Sequence, residues 1–186
     1  MGIPFLGRWL GHSEKPAWNL HEPPIAAESE TAEAQFELGR QSAEGAGTLQ
    51  TYSEALKHYL KAAEQGHGAA QFNLGLLYEQ GKGVPRNETT ALMWLRKAAD
   101  RGHAGAQYHV GVKLHRASKS VRQPEASECR TEAFKWLQLA FSQGYRGADA
   151  AREFVALGMT WAEVAEGGRR AVGFAAAQVK PGADAA

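Results

Sequence analysis

Cysteine is nearly missing from this chain: Cys129 is the only one among 186 residues. A single thiol excludes an intramolecular disulfide and any cysteine-cluster metal site. A dominant charge is missing too. Twenty-one Lys and Arg face twenty Asp and Glu, and no long block of one sign interrupts them, so nothing in the balance steers the chain to nucleic acid or to a membrane surface. Seven histidines are present, but none stands in an H-x-x-x-H arrangement around a glutamate. No metal and no cofactor are expected. The apolar start, M-G-I-P-F-L-G-R-W-L-G-H, is broken by glycines and Arg8. It reads as neither signal peptide nor membrane span, and Leu6 stands where a myristoylation motif wants Ser or Thr. The expectation is a cytoplasmic protein with a loosely held N-terminal arm over residues 1–31.

What the chain does have is self-similarity. A-Q-F-E-L-G from Ala34 returns as A-Q-F-N-L-G from Ala70 and A-Q-Y-H-V-G from Ala106, a period of 36 residues. A second signature follows each time, beginning at Ala55, Ala91 and Ala133 and closing at Gly66, Gly102 and Gly144. A fixed period of this length marks a repeat architecture. In the second copy, Ala70, Leu74, Leu77 and Tyr78 follow helical spacing. Gly75 leaves room for a partner helix, and Gly81, Gly83 and Pro85 end the helix. Asn87 is a candidate N-cap, and Ala91, Trp94, Leu95, Ala98 and Ala99 share one face of a second helix. Each copy therefore predicts two antiparallel helices, too small a unit to bury a core unless stacked on its neighbours.

The copies are not equal. Ala34 to Gly66 and Ala70 to Gly102 both span 32 residues, but Ala106 to Gly144 spans 38. The surplus falls around A-S-K-S-V-R-Q-P-E-A-S-E and predicts a longer loop over 118–128. After Gly144 the pattern decays. One more first helix is expected from about Arg146 to Leu157, then a closing segment in which Thr160 and Glu163 form a capping box, with Gly167 and Gly168 weakening its middle. The expected organisation is an arm (1–31), units over 32–67, 68–103 and 104–145, a capping helix pair over 146–176, and a tail over 177–186.

These residues resemble the Sel1-like repeat family, a relative of tetratricopeptide repeats. The second unit carries its pattern at Ala70, Leu74, Gly75, Tyr78, Gly81, Gly83, Val84, Ala91, Trp94, Ala98, Ala99 and Gly102, and the first and third units keep much of it. The resemblance implies an all-α, right-handed solenoid of αα-hairpins and an adaptor role, with first helices lining the concave face. Many secreted bacterial members stitch each unit with a cysteine pair, which this chain lacks, so it looks like an intracellular, bacterial-type member.

If first helices line a groove, their positions not used for packing are the candidates for contact with a partner protein or peptide. These are Glu37, Arg40 and Glu44 in the first unit, Asn73, Leu76 and Gln80 in the second, and His109, Val112 and Arg116 in the third. Within each trio the spacing keeps the residues along one helix side. Lys113, Lys119 and Arg122, with His115 and Arg116, form a basic run at a helix end, suited to an acidic partner or to the helix dipole. His67 and His103 occupy equal positions after the closing glycine and read as turn residues. Trp94 and Trp136, with His58 at the same place in the first unit, read as packing. Cys129 reads as a semi-buried thiol. The leading expectation is a non-catalytic adaptor. The alternatives are a self-associating structural protein that stacks through its end faces, and a hydrolase of cell-wall-related or β-lactam substrates, for which no nucleophile and base recur as a site.

Overall fold

The computed structural model describes residues 30–45 and 49–178, so the arm before Glu30 and the tail after Gln178 lie outside the described residues. Among the described residues there are eight α-helices and no strand: α1 (Ala32–Glu44), α2 (Leu49–Glu64), α3 (Gly68–Gln80), α4 (Glu88–Asp100), α5 (Ala104–Ser118), α6 (Glu125–Ser142), α7 (Ala148–Ala156) and α8 (Trp161–Gln178). Helices α1 to α6 form three hairpins, and each hairpin packs on the next, α2 on α3 and α4 on α5. The molecule is an α-solenoid, as the period predicts.

Local chemistry starts and stops these helices. The Thr31 hydroxyl accepts from the Ala34 amide at 3.2 Å, and the Asn87 side chain accepts from the Thr90 amide at 3.0 Å, each satisfying an amide that the first turn leaves free. His67 and His103, which the sequence places in turns, do more. Each imidazole Nδ1 accepts from the amide three residues on, Ala70 at 3.1 Å and Ala106 at 3.2 Å. They are the N-caps of α3 and α5, and each ring stacks on the phenylalanine in the first helix of the unit it closes, Phe36 or Phe72, at 4.5 Å between centroids.

Glycine sets how closely the hairpins close. A Cβ on Gly75 would meet Leu95 at 2.8 Å, and one on Gly111 would meet Leu137 at 2.7 Å. Any larger residue would push the second helix of the hairpin away. The core runs through unit boundaries. Ala55 and Tyr59 from α2 pack with Leu74 from α3 and Trp94 from α4, while Leu95 from α4 packs with Val110 from α5 and Trp136 from α6. Trp94 and Trp136 are both buried, as packing residues should be.

Two features differ from the sequence reading. The surplus of the third unit does not make a long loop: α5 and α6 run to 15 and 18 residues, against 13 each for α3 and α4. Only residues 119–124 remain between them, because Ala126, Thr131 and the residues beyond have buried surfaces to pack against. The closing helices also do not pair with one another as α3 does with α4. Both pack on α6 instead. The capping box forms as expected, with Glu163 Oε2 accepting from the Thr160 amide at 2.6 Å and Thr160 Oγ1 from the Glu163 amide at 3.3 Å. The same carboxylate also accepts from Arg130 at 2.8 Å and from the Ser127 hydroxyl, tying α8 to α6.

Candidate partner-binding site

The first-helix ladder divides by unit. On α1, Arg40 is held between two carboxylates of its own helix, with Nη2 at 2.6 Å from Glu37 Oε1 and Nη1 at 2.6 Å from Glu44 Oε2. Its guanidinium beside Glu37 holds that carboxyl down to about 2. Arg40 is thus satisfied within its own helix, and the trio keeps one net negative charge. On α3, Asn73 is half-buried near the Tyr59 phenol, Leu76 is half-buried, and Gln80 is exposed at the helix end.

On α5 the ladder meets other elements. His109 is half-buried, edge-on to Phe72 at 5.6 Å and to Tyr108 at 5.8 Å. Its Nδ1 lies 3.8 Å from Glu79 of α3. Burial holds its pKa down against the pull of Glu79. Glu79 also takes Lys113, whose Nζ is 2.5 Å from Oε1. Glu79 joins α3 to α5 and neutralises part of the basic run. Its position next to Gln80 gave no hint of this, since the contact crosses between units.

One turn further on, Val112 and Arg116 line a cavity of about 660 Å³ between α5 and α7, together with Lys119. Its floor and walls are Tyr108, Val112, Leu137, Ala150, Ala151, Phe154 and Val155, and its rim carries His115, Arg116 and Lys119. Phe154 stands 60% exposed. The Lys119 ammonium lies 5.6 Å from its ring centroid, and the His115 ring meets it edge-on at 5.5 Å. The volume lies within the roughly 300–1,000 Å³ of sites that enclose small ligands. Of the ladder residues only Val112 and Arg116 come together here; those of α1 and α3 do not reach it. Tyr108, Ala150, Ala151 and Phe154 were not among the sequence candidates. Phe154 was visible in sequence only as one apolar residue of a decayed repeat.

The basic run is less uniform than its spelling. Lys113 is paired, and burial lowers the pKa of His115, with Lys119 and Arg130 adding to the effect. Arg116, Lys119 and Arg122 are exposed and form no ion pair among the described residues. A second cavity of about 490 Å³, on the other side of α5, also touches Arg116 but holds Glu79 and Glu88 beside Arg86 and Lys113, so its charges are mixed.

Among the described residues no group of three or more His, Cys, Asp or Glu is placed to hold a metal ion, and no helix is long and apolar enough to cross a membrane. Cys129 is a half-buried free thiol on α6. The fold and its hairpin arithmetic define a helical-repeat protein. The Sel1 repeat family model matches residues 32–67, 68–103 and 104–145, the three hairpins described above, and the chain belongs to that family. Two solved structures are similar. One is a protective antigen of uropathogenic Escherichia coli with an SLR fold, 25% identical, with a TM-score of 0.67 over 87% of this chain and 35% of that one. The other is a Sel1 repeat protein from Oxalobacter formigenes, 34% identical, with a TM-score of 0.57 over 69% of this chain and 50% of that one. This chain thus spans half or less of either relative. A search of curated proteins gives no match. Sel1 repeat proteins generally mediate protein–protein interaction.

Proposed function

We propose that this chain is a non-catalytic adaptor that holds a segment of a partner protein along α1, α3 and α5 and anchors it between α5 and α7. The observation that carries this reading is the apolar cavity at the end of the first-helix ladder. A monomer gains nothing by leaving Phe154 and the small Ala150 and Ala151 facing an open hollow, whereas a docked apolar side chain would remove that surface from water. The rest of the ladder supplies a mixed polar lining, suited to registering a chain segment rather than gripping it.

The test is affinity capture with the intact chain and with a variant carrying Arg40→Ala, Asn73→Ala, His109→Ala and Arg116→Ala. The expected outcome is loss of a captured protein with the helical circular dichroism unchanged. Unchanged capture would move binding to other surfaces.

A second reading has its own observation. At the corner between α7 and α8, Leu157 and Trp161 stand 86% and 85% exposed, a bare apolar edge at the end of the array. Stacking of copies through this end is the structural alternative. Sedimentation of the chain and of Leu157→Ser/Trp161→Ser separates the two readings, because an adaptor stays monomeric in both forms.

A further inference from the structure

We infer that the segment seated between α5 and α7 is acidic as well as apolar: an amphipathic stretch of a partner protein whose apolar side chain fills the cavity and whose carboxylates meet Arg116 and Lys119. This rests on the adaptor reading and adds the chemistry of the partner.

Charge is what carries it. The residues lining the cavity include two full cations and no carboxylate. Several cations elsewhere are paired, Arg40 with Glu37 and Glu44, Lys113 with Glu79, Arg130 with Glu163, and Arg170 with Glu128, Glu132 and Glu166. Others, such as Lys97 and Arg101, share their hollow with Glu64 and Asp100; only its acid-free lining sets the α5–α7 cavity apart from these. Arg116 and Lys119 form no such pair among the described residues. The acids of the facing helix do not supply one. Asp149 and Glu153 on α7 lie outside the lining, and Glu153 is nearest to Arg152, at 3.9 Å. Two cations left over a hollow with an apolar floor match a ligand that brings an anion and an apolar group together.

The helix end does not account for the pair by itself. The last turn of α5 already has His115 and Arg116, and the dipole term rewards a nearby cation without requiring it to face a cavity. Lys119 is exposed, and its ammonium lies 5.6 Å from the Phe154 ring centroid, at the rim of the cavity.

The shape fits a chain segment. Helices α5 and α7 form the two walls, and α7 with nine residues is about 13 Å long, so the groove spans two to three turns of a docked helix, read through anchors three and four residues apart. Nucleic acid is disfavoured by the chemistry present. Two cations are too few to follow a phosphate backbone, and among the residues lining the cavity the aromatic side chains are Tyr108, His115 and Phe154, too few for a stacking row.

The test uses the full chain as bait for a phage-displayed library of random twelve-residue peptides, with affinities of selected peptides then measured by fluorescence polarisation. The expected peptides combine an aromatic or branched apolar residue with Asp or Glu within one helical turn. Arg116→Glu/Lys119→Glu should weaken them by about tenfold or more and should itself select peptides rich in Lys and Arg. Both residues are exposed, so the fold should tolerate the change; Ala150→Arg, which fills the cavity from an exposed position, is the independent variant and should also abolish binding. Selected peptides that lack acids, or that bind both variants unchanged, would overturn the inference while leaving the adaptor reading standing. A library that yields no binder would overturn both. Cavity-dependent binding to phosphatidylserine vesicles or to single-stranded DNA, or dimerisation lost in Ala150→Arg, would assign the cavity to a different occupant and overturn it as well.

Discussion

Single side chains do the most unexpected work at the joints between units. His67 and His103 follow the closing glycines of the first two hairpins, and the sequence shows them only as turn residues. Histidine is outside the usual set of capping residues, and the role depends on the ring facing back to the Ala70 and Ala106 amides, which no spacing reveals. The cap needs an unprotonated Nδ1, and burial lowers the pKa of His103 from 6.5. The unfolded ring then takes up a proton more readily than the folded one, so the stabilisation is present above pH 6.5 and lost as the pH falls through the lower folded value. Substituting His103→Ala should cost about 1–2 kcal/mol at pH 7.5 in urea unfolding, with the loss of stacking on Phe72 added. The gap between the two proteins should narrow at pH 5.5. A gap independent of pH would contradict the capping role. His58, in contrast, stands where the later units have tryptophan and bonds Gln35 Oε1 at 2.9 Å, which keeps a polar pair at the back of the first hairpin.

At the scale of the helix, α8 shows what periodicity conveys and what it misses. The capping box at Thr160 and Glu163 was legible, because its four-residue pattern is local. That α8 lies on α6 was not, because it depends on contacts 33 to 42 residues away in sequence, Arg130 to Glu163 and Arg170 to Glu128. Gly167 and Gly168 look alike in sequence and differ in space. A Cβ on Gly167 would meet Phe134 at 2.9 Å and the Thr131 carbonyl at 3.0 Å, while one on Gly168 meets nothing within 4 Å. Gly167→Ala should therefore destabilise by about 1–3 kcal/mol through overpacking, and Gly168→Ala should stabilise by about 0.5–1 kcal/mol through helix propensity. Thermal unfolding of the two variants checks both signs. The Glu163 clamp gives an acid test. Burial pushes its carboxyl up, but hydrogen bonds from Ser127, the Thr160 amide, Arg130 and the Thr160 hydroxyl outweigh this and hold it to about 2. Its contribution is complete above the ordinary carboxylate value of 4.5 and fades as the pH falls through about 2. Glu163→Gln should be less stable than the parent at pH 7, and the difference should shrink between pH 4.5 and pH 2; a constant difference would mean that the clamp does not depend on charge.

For the whole molecule, the architecture was legible because a solenoid repeats its packing residues at a fixed interval. Ala70, Gly75, Trp94 and Ala98 announce the hairpin, and their equivalents announce its copies. The proposed binding surface is the part that does not repeat. The cavity draws Tyr108, Val112 and Arg116 from the third unit and Ala150, Ala151 and Phe154 from the decayed helix after it, so it forms where the regular pattern gives way. The ladder residues of α1 and α3 are spelled at the same offsets but sit apart from it, with Arg40 already occupied by its own glutamates. The proposed anchor of the adaptor is therefore the α5–α7 cavity, and the most direct measurement is the affinity of a selected peptide for the parent chain, for Ala150→Arg and for Arg40→Ala/Asn73→Ala. The expected result is loss of binding in Ala150→Arg and a small change in the double variant. Full binding by Ala150→Arg with loss in the double variant would contradict the account and place the anchor on α1 and α3.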